Sequence, residues 1–233
     1  MATKQQEERA ANFQEEDGDD EDLPMLSSHT LEALKKFLEE QKQQVAAADD
    51  VSLISEDWRL SQFWYDRKTA ETVAMEVRDL SVSTSSPIVC IACPTIYAYL
   101  KKIDPSVSVK LLEFDNRFSQ YGNDFTFYDY NHPEDLPITM RHAYQIIVAD
   151  PPYLSKECLE KVARTISFLK KPGECYQLLL TGEVQKDVAA ELLGLHPCGF
   201  RPQHTNKLEA EEQHRDVYKF GSADRFLHGG SFP

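Results

Sequence analysis

The tetrapeptide Asp150-Pro151-Pro152-Tyr153 is the stretch of this chain best suited to do chemistry. Its two prolines carry no backbone donor and fix φ, so the loop is stiff and extended. What remains is a set of acceptors: one carboxylate and the carbonyl oxygens of the loop. Such a surface suits a group that donates hydrogen bonds, an amine or an amide NH2. An aromatic ring beside it can cover a flat base or the aliphatic stem of a lysine. Read alone, the tetrapeptide could equally be a proline-rich turn closing a strand. Its position favours a site, because it follows the apolar run Ile146-Ile147-Val148-Ala149 and precedes the helix cap Ser155.

A loop of this kind needs a rigid frame, and the flanking pattern supplies one. The run 146–149 is short and wholly apolar, as in a central strand of a parallel sheet. Further strands are expected at 88–93, 107–114, 125–128 and 175–181, with two more candidates at 199–205 and 217–220. Between them fall helical patterns. Ala70, Val73, Ala74, Val77 and Leu80 make one stripe within 67–80, before a Ser-rich loop at 81–87. Pro94 opens a short helix to about Lys101. Leu159, Val162, Ile166 and Leu169 make another stripe, ended by Pro172-Gly173, and 184–193 reads as a last helix. Alternation of this kind predicts an α/β fold with a central, mostly parallel sheet and helices on both faces. Ligands then sit beyond the carboxyl ends of the strands. Three acidic positions fall there: Glu113 with Asp115, Asp129, and Asp150.

Composition narrows the setting. The net charge of −14 is uneven: residues 1–50 hold 14 acidic against 5 basic side chains, the remainder 25 against 20. Residues 1–24 are expected to be a disordered acidic leader, and 25–50 a helix with the stripe Leu31, Leu34, Leu38 and a linker. The folded domain is expected over 51–220, with a tail at 221–233. Neither part has the basic footprint of a protein that grips a phosphate backbone. No apolar run approaches a membrane span and no secretory signal is evident. Five scattered cysteines read as reduced thiols of a cytoplasmic protein. Cys90 and Cys93 form a C-x-x-C, but inside an apolar strand and without a second ligand pair, so no metal site is expected.

The Asp-Pro-Pro-Tyr motif resembles that of the class I methyltransferases, which carry (Asp/Asn/Ser)-Pro-Pro-(Tyr/Phe/Trp) and methylate nitrogens. A closer resemblance runs from about Leu26 to Phe220. It rests on Trp58-Arg59-Leu60-Ser61-Gln62-Phe63-Trp64-Tyr65, Glu113-Phe114-Asp115-Asn116-Arg117-Phe118, Phe127-Tyr128-Asp129-Tyr130-Asn131 and Ala149-Asp150-Pro151-Pro152-Tyr153-Leu154-Ser155. In that order these strings are similar to the elongation factor 1A lysine methyltransferase 1 family, whose members were earlier catalogued as N6-adenine DNA methyltransferases. The resemblance implies a Rossmann-like class I fold, S-adenosylmethionine as cofactor and elongation factor 1A as protein substrate. It gives Asp150, Pro151, Pro152 and Tyr153 the catalytic role: the first side chain and a proline carbonyl orient the target nitrogen, and the aromatic packs on the substrate.

The cofactor residues follow from position. A carboxylate ending the second strand normally accepts both ribose hydroxyls. Glu113 and Asp115 compete for this, two apart and so on one side of an extended strand; Glu113 is favoured, and either could be a plain surface acid. Asp129 is placed to take the adenine amino group with Tyr130 flanking the ring, or else to close an Asx turn. The first strand lacks the usual Gly-rich loop and has Cys93-Pro94-Thr95 there. S-adenosylmethionine has no phosphate, so the loss is tolerable. The segment Ser61–Tyr65, with Gln62 and Trp64, either folds over the cofactor or anchors the N-terminal side on the core.

The nucleophile must be a neutral nitrogen. For a lysine of pKa about 10.4 at pH about 7.4, losing the proton costs about 4 kcal/mol; an adenine amine needs no such step. The motif serves both, so an N6-adenine methyltransferase acting on DNA or RNA stays as the alternative, with an inactive binding module as a third reading. A monomer is expected.

Overall fold

A computed structural model describes residues 54–205 and 215–220, together with Glu32, Lys35 and Lys36, which are helical. The acidic leader, most of the 25–50 helix with its leucine stripe, and the 221–233 tail lie outside the described residues.

Seven strands among these residues form one sheet in the order β3-β2-β1-β4-β5-β7-β6. They are β1 (Ile88–Ile91), β2 (Val109–Glu113), β3 (Phe125–Phe127), β4 (Ile146–Ala149), β5 (Tyr176–Gly182), β6 (His196–Pro197) and β7 (Arg215–Phe220). The first five in that order pair in parallel. β7 runs antiparallel to β5, and β6 antiparallel to β7. The helices are α1 (Arg67–Thr84), α2 (Pro94–Ile103), α3 (Lys156–Leu169) and α4 (Lys186–Leu193).

Strand alternation sorts the core into two layers. On one face Ile88, Cys90, Leu111, Val148 and Leu178 meet Val73, Ala74 and Val77 of α1 and Ile96 and Leu100 of α2. On the other Val89, Ile91, Leu112, Ile147 and Leu179 meet Leu159, Val162 and Ile166 of α3 and Ala189 of α4. β1 and β4 are buried on both faces, which is why they read as unbroken apolar runs. Chain order reverses between them: β2 and β3 build outward from β1, β5 from β4. The crevice for a ligand opens at such a switch point.

Local chemistry sets the boundaries. α1 runs four residues past the expected end at Leu80, because Ser83 and Thr84 return their hydroxyls to the Leu80 carbonyl and Ser85 turns left-handed at φ 51°. Ser155 caps α3 by accepting from the Cys158 amide at 3.1 Å, a contact that stabilises a helix by about 1 kcal/mol. The expected strand at 199–205 does not form. Gly199 is left-handed (φ 78°) and Pro202 has no N–H to donate; the strand before β7 is the earlier pair His196–Pro197, and His204 makes only an isolated bridge, to Tyr65. Among the described residues no helix is long and apolar enough to cross a membrane.

Candidate active site

Parallel register aligns the carboxyl ends of four strands. Ile91 of β1 pairs with Leu112 of β2 and with Ala149 of β4, and Glu113 of β2 pairs with Phe127 of β3. The amides just beyond continue the ladder: Ala92 donates to the Leu112 carbonyl, Tyr128 to Glu113 and Asp150 to Ile91. Ala92, Glu113, Asp129 and Asp150 are thus delivered to one rim. They line a cavity of about 220 Å³ with the segment 60–64.

At one wall stands Glu113, 7% exposed. Its hydrogen bonds come from the amides of Phe114 and Asp115, both to Oε1. Burial pushes its pKa from 4.5 up to about 7, with Asp115 and Asp150 adding repulsion and the two amides opposing it. A buried carboxylate so poorly compensated calls for donors from a ligand, and a vicinal diol provides two.

Asp115 is spent differently. β2 stops at Glu113, so strand alternation no longer applies to the residue two on. Asp115 instead caps the 3-10 turn Asn116–Asp124 and accepts from the Arg117 amide. Arg117 grips its carboxylate at 2.6 Å, and Gln62 donates to it at 3.0 Å. Burial pushes the Asp115 carboxyl up, but these hydrogen bonds outweigh it and hold it below its usual range. Asp115 does not line the cavity.

Gln62 and Trp64 do line it, but their polar atoms face the scaffold. Gln62 Oε1 accepts from the Asp57 amide and from Arg117. Trp64 donates its indole N–H to the Ile54 carbonyl at 2.8 Å and packs edge-on to Phe118. The segment thus anchors on the core, and residues 60–64 line one wall of the cavity.

At the end of β1, Ala92 takes a left-handed φ of 53°, a conformation costing about 1–2 kcal/mol for a residue with a Cβ. This turn stands where a Gly-rich loop was missed. It leads into Cys93 and Pro94, and α2 starts with no side-chain cap. Uncapped first-turn amides at a cavity wall suit an anionic group. Cys93 is buried, its thiol directed at the Val148 carbonyl at 3.6 Å, and burial raises its pKa well above the usual thiol range. Among the described residues no cluster of metal-ligating side chains occurs.

Asp129 accepts from the amide and the side chain of Asn131, the Asx turn named as the alternative, and it lines the cavity as well. Lys161 ties this turn to α3, donating to Asn131 and to Glu157, 5.6 Å from the centre of the Tyr130 ring. Tyr130 in turn meets Tyr153 edge to face at 6.0 Å. The Asp150 loop is thus bordered by aromatics, with Tyr153 itself 45% exposed at the mouth. Behind it, Gln185 donates to the Leu154 carbonyl, and Gly182 gives Leu154 room that a Cβ would invade at 2.9 Å.

Two neighbours lie in the motif strings, but sequence alone assigns neither side chain a role. Phe114, half exposed beside Glu113, stacks obliquely with Phe127 at 5.5 Å and lines the cavity. Tyr65 donates its hydroxyl to Asp150 Oδ2 at 2.7 Å. The arrangement as a whole can hold a ligand with a diol and a flat ring along Glu113, Phe114 and Asp129, and bring a donor nitrogen to Asp150 from the mouth.

Residues 56–223 match the family model described as "Probable N6-adenine methyltransferase". The chain is 44% identical over 201 residues to EEF1A lysine methyltransferase 1 of Mus musculus, covering 84% of this chain and 92% of that one. It is 42% identical to the Homo sapiens protein of the same name, with the same coverage. It is 37% identical to Protein-lysine N-methyltransferase M142.8 of Caenorhabditis elegans, covering 82% and 92%. Among solved structures, the branched-chain polyamine synthase of Thermus thermophilus, in complex with N4-aminopropylspermidine and 5'-methylthioadenosine, superposes with a TM-score of 0.52 at 12% identity. That match covers 80% of this chain and 62% of the other, and is a likeness of fold.

Proposed function

Because this chain belongs to the family of the EEF1A lysine methyltransferase 1 proteins, whose family model is described as a probable N6-adenine methyltransferase, we propose that it methylates a lysine side chain of elongation factor 1A with S-adenosylmethionine as donor. The observation that carries this is one cavity with Glu113 at one wall and the Asp150 loop at another.

S-adenosylmethionine, when bound, supplies an electrophilic methyl group on sulfur. The chain's own residues bind and aim. Glu113 accepts the two ribose hydroxyls, which favour its ionised form. Asp129 takes the adenine amino group and Tyr130 flanks the ring. The turn at Ala92–Pro94 and the first-turn amides of α2 hold the carboxylate of the methionine end. Asp150 and the Pro151 carbonyl accept hydrogen bonds from the incoming amine and direct its lone pair inward. Pro152 keeps the loop stiff, and Tyr153 lines the lysine stem. The amine reaches this position neutral, its proton having left to solvent; burial against Tyr153 and the cofactor's positive sulfur favours that loss, while the Asp150 carboxylate opposes it. Rate then comes mainly from orientation.

Charge supports a protein substrate. Residues 51–233 hold 25 acidic against 20 basic side chains, a surface that favours a basic protein over a polyanion. The cytoplasm is the compartment we expect, in keeping with five scattered cysteines, and a monomer the expected state. The decisive assay incubates the purified enzyme and labelled cofactor with elongation factor 1A, with adenine-containing DNA and with RNA. Label is expected in the protein. Label in a polynucleotide and none in the protein would replace this reading with the adenine one.

A further inference from the structure

We propose that Tyr65 is a positioning residue of the methyl-transfer site, its hydroxyl fixing the rotamer of the Asp150 carboxylate that receives the acceptor amine. The proposal rests on the reading of Asp150 given above and extends it to a side chain outside the motif.

The geometry begins with how firmly Tyr65 is held. It is 2% exposed and immediately precedes Asp66, which caps α1 by accepting from the Thr69 amide at 2.7 Å. Its main chain is fastened from the other side by residues 203–205. Asp66 donates to the Gln203 carbonyl at 2.8 Å, and Thr205 donates its amide to the Trp64 carbonyl and its hydroxyl to that of Tyr65. The phenol ring stacks on His204 with centroids 4.6 Å apart and planes 27° apart. His204 is itself fixed, its Nδ1 lying 3.1 Å from the Phe63 carbonyl. The hydroxyl therefore has a defined position relative to the sheet.

Asp150 needs such a fixed point. Its backbone is set by the hydrogen bond from its amide to the Ile91 carbonyl and by Pro151, but its side chain still has two torsions. A carboxylate that turns freely cannot hold an amine in line for displacement, and a displacement of about 1 Å can cost about 100-fold in rate. The 2.7 Å hydrogen bond to Oδ2 is charge-assisted, and it selects one carboxylate orientation before substrate arrives. Tyr65 does not line the cavity, and Asp150 does; its effect on turnover must pass through Asp150.

Tyr65→Phe is the test, since it keeps the ring stacked on His204 and removes only the hydroxyl. Expected is a kcat lower by about 10- to 100-fold, with the cofactor Kd and the KM for elongation factor 1A within about twofold of native and a Tm lower by only a few degrees. A double-mutant cycle separates positioning from packing. In an Asp150→Ala background, where the hydroxyl has no acceptor left, assayed for residual single-turnover transfer of labelled methyl, Tyr65→Phe should add less than about threefold. Native kcat in Tyr65→Phe would overturn the proposal, as would an equal penalty in both backgrounds, or a loss confined to cofactor affinity. Native turnover of Asp150→Ala would instead show that the site reading beneath it is at fault, and would remove the proposal with it.

Discussion

Glu113 and Asp115 are two residues apart and both nearly buried, yet only Glu113 faces the cavity, while Asp115 is clasped by Arg117 at 2.6 Å. One carboxylate is left for a ligand and the other is built into the wall.

The sign of the Glu113 shift makes this testable. Its pKa rises from 4.5 to about 7 on folding, chiefly from burial. The native state thus holds the proton more tightly than the unfolded chain. The resulting penalty is absent below pH 4.5, grows through the window from 4.5 to about 7, and is constant above it. Glu113→Gln should therefore stabilise the cofactor-free protein at pH 8 by about 2–3 kcal/mol, and leave it unchanged near pH 4.5. The same variant should bind cofactor far more weakly, and native affinity should fall about tenfold per pH unit below about 7. Thermal melts and calorimetry across pH 5–9 measure both; a destabilised Glu113→Gln at pH 8 would contradict the buried-charge account.

Arg117→Ala removes the partner of a buried carboxylate and should destabilise the domain by about 1–3 kcal/mol, the half-exposed guanidinium giving less than a fully buried one. Because Arg117 also bonds Gln62, the segment 60–64 should loosen. Faster hydrogen exchange at Gln62 to Trp64, with exchange in β1 and β4 unchanged, is the expected signature.

Asp150→Ala should bind cofactor with near-native affinity and lose most methyl transfer, if its partner is the acceptor nitrogen as proposed. Native turnover on elongation factor 1A should rise from pH 7 to 9, since the lysine must be neutral to react. Loss of cofactor affinity with turnover intact in the variant, or a flat pH profile in the native enzyme, would tell against these roles.

Ala92→Gly should raise the Tm slightly, by about 0.5–1 kcal/mol of stability, since relief of the left-handed strain outweighs glycine's added entropy. Ala92→Val should lower it. Equal melting of all three proteins would mean that the turn is not strained.

What could be read in advance followed from periodicity. Burial on both faces made the strands expected at 88–93 and 146–149 legible, the first of which ends at Ile91, and with them the rim where Glu113, Asp129 and Asp150 converge. The separate fates of Glu113 and Asp115 depend on where β2 stops and on Arg117, a surface-type residue in sequence. The turn at Ala92 was opaque because alanine does not announce a left-handed conformation. The bond from Tyr65 to Asp150 spans 85 residues, and no local pattern reports a contact of that range.

The clasp of Trp64 and Tyr65 by Thr205 joins residues about 140 positions apart. Closing so long a loop is slow and entropically costly, and it is made only once the intervening sheet can hold both ends together. A chain still emerging from the ribosome can pair β1 with β2 and β4 while Tyr65 waits for residues not yet synthesised. The clasp on Trp64 and Tyr65 can thus close only once residues 203–205 have been synthesised.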